Sequence, residues 1–256
     1  MVPSPNHIVS FLQTSRPGLF GRGLKQISFA RNEVAARAGD EIRSVYLPHS
    51  GMLSSVVDLR EGDRVETASI GRNSAVGTSA AFGSNFHLHH VVANMFTTGW
   101  MIDLDDVVEA ADHLPAFRSL LFKVEQHTSA QAHQIAVCNA CHTVAQRFCS
   151  WLLRALDESG ASELQITQEY IAELLGVQRA SISTVASRLQ RDAILQYRRG
   201  HVCVLDRPAL EQRACECHAV ILAQYWSLFR RDTMDRFGTS VGIHILPHDD
   251  PNALDL

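Results

Sequence analysis

Apolar and polar positions change their spacing along this chain, and the change divides it into three regions. From Gln26 to Asp103, short runs rich in β-branched residues, such as SSVVDL and RVETASI, alternate with turn sequences such as PHSG, REGDR and FGSN. Several short strands at this spacing predict a β-sandwich or a jelly-roll barrel. The sequence REGD, between Leu59 and Val65, predicts a hairpin turn within it.

A helical spacing follows the predicted strands. From Phe117 to His142, every third or fourth residue falls on one face, apolar at its start and more polar later. This pattern predicts a single long helix with a heptad seam. A second copy of the chain is the simplest partner for the seam, and packing on the chain's own barrel is the alternative. The dimer contacts that the seam predicts are Phe117, Leu121, Val124, Thr128, Gln131 and Ile135.

The region after the long helix contains the most specific pattern. In ITQEYIAELLGVQRASISTVASRLQ, which begins at Ile166, Ala172 is small where two helices would cross, and Gly176 supplies a turn between them. Apolar side chains at positions 171, 175, 177, 182 and 185 would form the core beneath both helices. This spacing predicts a helix-turn-helix unit. The sequence ILQYRRGHVCVLD then predicts two strands joined at Arg199 and Gly200, which form a wing.

Composition and charge restrict what this region can bind. The chain has 256 residues, is 46% hydrophobic and carries a formal net charge of −4, so we expect a globular protein that is no general binder of polyanions. Between Gln178 and His201, however, five arginines and one aspartate give a local charge of +4. This basic surface predicts contact with double-stranded DNA, and a solvated face on a structural helical bundle is the alternative. The predicted DNA contacts are Thr167, Gln168, Gln178, Arg179, Ala180, Ser181, Ser183, Thr184, Arg188, Arg198, Arg199 and Gly200.

The cysteines and the N-terminal sequence bear on the cellular compartment. No apolar run is long enough to span a membrane, and the N-terminal sequence lacks the features of a signal peptide, so we expect a cytoplasmic protein with reduced thiols. The sequence CNACH, residues 138–142, has the spacing of c-type haem attachment, which takes place outside the cytoplasm. We therefore interpret it as helix packing. A c-type haem electron carrier that uses Cys138, Cys141 and His142 is the alternative.

Several stretches of the chain resemble the Crp/Fnr transcription regulators, in order and spacing over residues 26–225. YLPHSGMLSSVV and SIGRNSAVG resemble the barrel of that family, and FCSWLLRALD, ITQEYIAELLGVQRASIS and YRRGHVCVLDRPALEQRACEC resemble its DNA-binding half. The resemblance implies an α+β fold with a cyclic-nucleotide-binding-like β-roll (1–113), a dimerisation helix (114–142), a winged helix-turn-helix domain (143–236) and a tail (237–256). It also implies a homodimeric transcription regulator, not an enzyme, that binds an inverted-repeat operator and has RNA polymerase as a further partner.

The sensor half departs from the cyclic-nucleotide-binding members of this family. Where those members have Gly-Glu, with the glutamate on the ribose, this chain has Gly77-Thr78, and where they have an arginine on the phosphate it has His89-His90. A neutral histidine replaces the bidentate grip of arginine on a phosphodiester poorly. We therefore expect no cyclic AMP binding and leave the effector open, with Gly77, Thr78, His89 and His90 as candidates for binding it. No cysteine precedes Cys138, so the N-terminal iron–sulfur cluster of the oxygen-sensing members is not expected either.

The second helix of the predicted helix-turn-helix unit also departs from well-known members of the family. Arg179 matches the arginine with which the family reads guanine, and its donor fork suits guanine O6 and N7. Ala180 stands where glutamate is common, and Thr184 stands where a second arginine is common. The resemblance therefore implies an operator that differs from that of the catabolite activator.

Two groups of residues raise the question of a metal or a haem. His87–His90 lie in a predicted loop between strands, and the sequence CECH, residues 215–218, could hold zinc together with Cys138 or Cys141. A histidine-bearing loop is more often only solvated, and ligands on one predicted helix at the CECH spacing point in divergent directions. We therefore predict no metal site. A haem- or redox-sensing regulator that uses these histidines or cysteines is the alternative.

Overall fold

The computed structural model describes residues 6, 8–11, 23–60 and 62–237, and the structural statements below concern these residues. The tail predicted over residues 237–256 lies outside them except for Phe237, the last residue of the final helix. Near the N-terminus, residues 8–11 form a helical turn whose Ile8 and Val9 are buried.

Seven strands make up the N-terminal half: β1 (Lys25–Phe29), β2 (Val34–Ala36), β3 (Ser44–Ser50), β4 (Leu53–Asp58), β5 (Arg64–Ile70), β6 (His90–Ala93) and β7 (Thr97–Asp103). They form two antiparallel sheets, in the orders β1-β7-β3 and β2-β6-β4-β5. The turn REGD joins β4 to β5, where the Leu59 N–H donates to the Asp63 carbonyl at 2.7 Å. The predicted barrel and its hairpin are therefore confirmed.

Two consecutive helices lead from the barrel to the C-terminal half. α1 (Leu104–His113) follows β7, and α2 (Pro115–Cys141) starts at Pro115, in a first-turn position where no N–H is needed. The extended backbone of His142 (φ −107°, ψ 150°) ends α2. Thr143 then begins α3 (Val144–Ser159) with a capping box that it forms with Gln146. The chain therefore changes direction between residues 142 and 143.

The C-terminal half contains the predicted helix-turn-helix unit. α4 (Gln168–Leu175) ends at Gly176, whose left-handed φ of 62° is a conformation that glycine adopts without strain. α5 (Arg179–Arg191) follows directly, and the small Ala172 is buried beneath the two helices. A sheet in the order β8-β10-β9 completes a winged helix, with β8 at Glu163–Gln165, β9 at Leu195–Arg198 and β10 at His201–Val204.

The last two helices are α6 (Arg207–Arg213) and α7 (Cys217–Phe237). α7 packs along α2, because Tyr225 and Phe229 are buried in one core with Phe117, Leu121 and Val124. Within the predicted DNA-binding domain, α7 also contacts α3, where His218 lies 2.7 Å from Asp157.

The heptad seam of α2 faces the chain's own interior. Five of its six predicted dimer contacts are buried there, and Thr128 is half-buried. Gln131, for example, accepts a hydrogen bond from the Ser69 N–H of β5 at 2.5 Å. In this arrangement the seam is not open to a second chain, and the packing follows the alternative in which the helix lies on its own barrel. A role of these residues in dimerisation stays a prediction.

Candidate DNA interface and its junction with the barrel

The helix α5 has a core side and an outward side. Ile182, Ala186 and Leu189 are buried at spacings of four and three residues, so they share one face of the helix. The opposite face and the residue before the helix are exposed. The exposed predicted contacts here are Gln178, Arg179, Ala180, Thr184 and Arg188.

The wing presents two further arginines. Arg198 of β9 pairs with His201 of β10, so Arg199 and Gly200 form a two-residue turn. Both turn residues have positive φ angles, 50° and 81°, as a type I′ hairpin requires. Arg198 and Arg199 are exposed, and the turn therefore carries two guanidinium groups into solvent.

The basic surface formed by α5 and the wing is not neutralised by acidic side chains. Within the described part of the chain, Arg179, Arg188, Arg198 and Arg199 form no ion pair, whereas Asp192, the only acid between residues 178 and 201, pairs with Arg213 of α6 at 3.1 Å. These four arginines are therefore available to phosphates and base edges.

Some of the predicted contacts are engaged within the chain. The Thr167 hydroxyl caps α4 by accepting the Tyr170 N–H at 3.2 Å, and it also accepts a hydrogen bond from the barrel residue Arg31 at 3.4 Å. Ser183 donates to the side-chain oxygen of Gln168 at 2.7 Å. The contacts predicted on α5 and the wing are thus exposed or half-buried, whereas Thr167 contacts the barrel. The half-buried members of the predicted set are Thr167, Gln168, Ser181, Ser183 and Gly200.

A buried ion pair joins the DNA-binding half to the barrel. Glu66 of β5 is only 2% exposed and accepts a hydrogen bond from Arg154 of α3 at 2.6 Å and another from the indole of Trp151 at 3.1 Å. Around this pair, apolar residues of β4 and α3, including Val56 and Leu152, share one core. A buried carboxylate is tolerated only when it is paired in this way, so the two halves depend on each other at this point.

A chain of hydrogen bonds continues from this ion pair to the helix-turn-helix unit. Ser54 donates to Glu66, Asn94 donates to Ser54, and the Tyr170 hydroxyl of α4 donates to Asn94 at 3.0 Å. Burial raises the pKa of Tyr170 to about 12, so its hydroxyl keeps the proton that it donates. A shift of the barrel sheet would therefore reach α4 through these bonds.

The predicted effector residues Gly77 and Thr78 lie against α2 and β3. Gly77 has a φ of 87°, and a Cβ at this position would lie 2.8 Å from the Ser44 carbonyl oxygen. Thr78 starts a 3-10 helix (Thr78–Phe82) and donates its hydroxyl to Glu125 of α2 at 2.5 Å. This contact connects the sensor half directly to the long helix.

The predicted effector residues His89 and His90 have different neighbours. His89 is exposed, and His90 accepts the Ala38 N–H at 3.3 Å and lies 3.7 Å from Asp58. Burial lowers the pKa of the neighbouring His87 below its usual value. Among the described residues, none of these histidines belongs to a group of three or more His, Cys, Asp or Glu side chains with metal-ligand spacing.

A cluster of three cysteines and one histidine, which was not predicted from the sequence, lies where α2 meets the start of α7. The thiols of Cys138, Cys215 and Cys217 and the imidazole of His142 place their ligand atoms within 4.8 Å of one another. The hydrogen bond between Cys138 and Cys215 raises the pKa of the Cys138 thiol and lowers that of Cys215. These four residues are called the thiol–imidazole cluster below.

The residues of the haem-attachment motif do not converge in the structure, and neither do those of the zinc site suggested by the sequence. Cys141 is exposed whereas Cys138 is buried against Cys215, so the two thiols of CNACH do not converge. His218 is directed to Asp157, with a distance of 2.7 Å between its Nε2 and the carboxylate. The histidine that joins the cysteines is His142, which the sequence pattern grouped only with the haem motif.

A β-barrel, a long helix and a winged helix with an exposed basic helix together define a class of sensor-linked, DNA-binding transcription regulators. Two family models match the chain in this order, the cyclic nucleotide-binding domain over residues 26–113 and the Crp-like helix-turn-helix domain over residues 146–213. Together they span more than half of the chain, which belongs to the Crp/Fnr family. The predicted family, the fold class and the function as a DNA-binding transcription regulator are confirmed.

Solved structures of low identity share this fold. FixK2 from Bradyrhizobium japonicum has a TM-score of 0.66 at 17% identity, covering 75% of this chain and 98% of its own. A CRP-family transcriptional regulator from Thermus thermophilus has a TM-score of 0.62 at 20% identity, with coverages of 73% and 96%. The c-di-GMP responsive regulator CLP from Xanthomonas campestris has a TM-score of 0.58 at 17% identity, with coverages of 73% and 96%. No curated protein shows a significant match, and no described helix has the length and apolar character needed to cross a membrane.

Proposed function

We propose that this regulator binds an inverted-repeat operator as a homodimer, reads it through α5, and responds to an effector other than cyclic AMP. The observation that carries the proposal is the basic surface of α5 and the wing. Among the described residues, its exposed arginines Arg179, Arg188, Arg198 and Arg199 form no ion pair, although the chain as a whole has a net charge of −4. A local excess of positive charge is typical of a DNA-binding surface.

The two parts of this surface suit different parts of DNA. Arg179 is the first residue of α5, the end that enters the major groove in helix-turn-helix proteins, where its donor fork fits guanine O6 and N7. Arg198 and Arg199 lie at the wing turn, where contact with phosphates adds affinity without base preference. α5 thus supplies the sequence preference, and the wing supplies charge.

The outward face of α2 supplies a contact for a second chain. Phe122 and Val137 are 52% and 51% exposed, and between them the exposed residues Gln126, Ser129 and His133 continue in steps of three or four. Since the inner face packs on the barrel and α7, the outward face is the one that two α2 helices would bring together about a two-fold axis. The two α5 helices would then read half-sites about one helical turn apart.

The contacts of the barrel support an effector different from cyclic AMP. Thr78, at the position of the family's ribose-binding glutamate, donates its hydroxyl to Glu125 instead. His89 and His90 carry no guanidinium fork for a phosphodiester. An effector that favours one arrangement of the Thr78–Glu125 contact over another would shift α2 and, through it, the DNA-binding half. A contact with RNA polymerase stays a prediction.

Selection of bound DNA from a random pool, with and without cell extract, tests this function. We expect an inverted repeat with a guanine in each half-site, and enrichment that depends on extract would indicate an effector. Cyclic AMP at millimolar concentration should leave Tm unchanged, whereas a ligand at 100 times its Kd would stabilise the protein by about 2.7 kcal/mol. Failure to recover any motif, or a clear shift of Tm with cyclic AMP, would contradict the proposal.

A further inference from the structure

The thiol–imidazole cluster is formed by two distant parts of the chain. Cys138 lies four residues before His142, so both fall on the same side of the last turn of α2. Cys215 lies in the short link after α6, and Cys217 is the first residue of α7. The packing of α7 along α2 brings the second pair onto the first.

The distances within the cluster suit one ion with four ligands. The Cys138 and Cys215 sulfurs lie 3.5 Å apart, and the Cys217 sulfur lies 3.4 Å from the Nδ1 of His142. Zn–S and Zn–N bonds of about 2.3 and 2.0 Å in a tetrahedron separate the ligand atoms by roughly 3.5–3.8 Å. Both separations lie close to these values, and all four ligand atoms lie within 4.8 Å of one another.

The surroundings of the cluster point to a ligand as well. Nε2 of His142 lies 3.3 Å from a carboxylate oxygen of Glu216, which fixes the imidazole with Nδ1 toward the sulfurs. The Gln134 amide donates to the Cys217 sulfur at 3.2 Å, and the Ser150 hydroxyl lies 3.0 Å from the Cys215 sulfur. A carboxylate behind a ligating histidine and hydrogen-bond donors on thiolate sulfurs are the outer contacts that metal sites use.

We propose that Cys138, His142, Cys215 and Cys217 bind one zinc ion. Three thiolates and one imidazole are a ligand set of structural zinc sites, in which the protein fills all four positions. Because three of the four residues are buried and His142 is half-buried, the ion would be shielded from solvent and from substrates.

The position of the site gives it a role in the regulator. His142 ends α2, and the next residue, Thr143, caps α3. Zinc would therefore tie the end of the long helix to the start of α7 directly beside the point where the chain turns into the DNA-binding half. Loss of the ion would loosen α7 from α2 and free that turn.

A disulfide and an iron–sulfur cluster fit the same residues less well. A Cys138–Cys215 disulfide requires a sulfur distance of about 2.05 Å, shorter than the 3.5 Å here, and it would leave His142 and Cys217 without a function. An iron–sulfur cluster spreads its ligands over more than one iron. Ligand atoms that all lie within 4.8 Å of one another suit a single ion better.

Metal analysis of the full-length protein, purified with reductant and without chelator, tests the proposal. We expect one zinc per chain by plasma mass spectrometry. After removal of zinc, Co²⁺ should give the thiolate charge-transfer and ligand-field absorption of tetrahedral cobalt–sulfur coordination. Circular dichroism at each step shows whether the chain remains folded.

Matched cysteine variants separate the site from thiols in general. Cys217→Ser should lose zinc, whereas Cys141→Ser, at an exposed thiol of the same helix as Cys138, should keep it. His142→Cys should also keep zinc, because four thiolates form a zinc site as well. Zinc binding by this variant would show that a substitution within the cluster does not by itself unfold the chain.

A second matched pair of variants tests the contact between Glu216 and His142. Glu216→Gln should weaken zinc binding about 10- to 100-fold, measured by competition with a chromogenic chelator, whereas Glu211→Gln should leave it unchanged, since Glu211 pairs with Arg207 instead. Substoichiometric zinc with no tetrahedral cobalt spectrum would overturn the proposal. So would a Cys138–Cys215 disulfide in the reduced preparation, or equal loss of zinc in Cys141→Ser and Cys217→Ser.

Discussion

The surface of α5 and the junction beneath it use arginine in opposite ways. Arg179 and Arg188 are exposed, and in the described part of the molecule they form no ion pair. Arg154 is 8% exposed and is paired with Glu66 of the barrel. The first two are available to a partner molecule, whereas the third holds two parts of the same molecule together. An arginine in this protein therefore indicates DNA contact only where the fold leaves it unpaired.

The two regions also differ in how a substitution should act. At the junction, the loss of one partner leaves a buried charge without compensation, so stability should fall. On α5, the loss of an exposed arginine removes a contact with DNA and should leave stability nearly unchanged. Stability and DNA affinity, measured on the same variants, therefore separate the two roles.

Among the variants that should still fold, Glu66→Ala should have the largest effect, a loss of about 3–5 kcal/mol in the free energy of unfolding, because Arg154 would remain buried without its partner. Urea unfolding followed by tryptophan fluorescence measures it. The control is Glu163→Ala, which removes a half-exposed pair with His201 and should cost less than about 1 kcal/mol. Similar losses in the two variants would show that the junction does not depend on this pair.

Glu158, next to the junction on α3, should make stability depend on pH. Burial raises the pKa of Glu158 to about 7 from an ordinary 4.5. Between these two pH values, the Glu158 carboxyl keeps its proton in the folded protein and loses it in the unfolded chain. This contribution to stability is complete below pH 4.5 and is lost as the pH rises through 7, a total of about 3 kcal/mol.

Glu158→Gln removes this titration. The free energy of unfolding of the variant, relative to the parent, should increase by about 3 kcal/mol between about pH 4.5 and pH 8. Denaturant unfolding at several pH values measures the difference, with the exposed Glu163→Gln as control. Parallel pH curves for Glu158→Gln and the parent would contradict the prediction.

The parts of the fold that were predicted from sequence are those encoded by neighbouring residues. Ala172 lies within α4 and Gly176 ends it, and the Arg199-Gly200 turn lies between the two strands that it joins. Such patterns need no knowledge of distant segments. The helix-turn-helix unit, the wing and the barrel class could therefore be predicted from the sequence.

Two features that were not predicted from the sequence depend on where α7 packs. The heptad seam correctly predicted α2, but its covering by Tyr225 and Phe229 involves residues about a hundred positions later in the chain. The four-residue spacing of Cys138 and His142 was visible in the sequence, whereas their meeting with Cys217 was not. Without that contact, the sequence placed His218 and Cys141 in the zinc alternative instead of His142.

Neighbouring substitutions on α2 can show which face forms the dimer. Phe122→Glu changes a 52% exposed side chain and should leave the fold intact while raising the dimer dissociation constant about 30-fold, since an aromatic contact at an interface contributes about 2 kcal/mol. Leu121→Glu would bury a charge in the core and should unfold the chain. Analytical ultracentrifugation with circular dichroism distinguishes the two results. A folded monomer from Leu121→Glu, with an intact dimer in Phe122→Glu, would restore the inner seam as the interface.

Arg179→Ala should cost about 1–3 kcal/mol in binding to the selected operator and relax the preference at one base pair in each half-site. Its stability should remain that of the parent, because its side chain is exposed. The control is Arg43→Ala, at an exposed barrel arginine. If Arg179→Ala binds the operator as tightly as Arg43→Ala does, α5 is not the element that reads the sequence.

The smallest effect is expected at the wing. Arg199 has a φ of 50°, a left-handed conformation that asparagine tolerates better than alanine, so Arg199→Asn removes the charge while it preserves the turn. A lost phosphate contact should weaken binding equally on operator and random DNA, and it should lower the slope of log affinity against log salt by about one unit. Titrations at several salt concentrations on both kinds of DNA measure this slope. A loss confined to the operator, with the slope unchanged, would mean that the wing reads bases and that sequence preference is shared between the wing and α5.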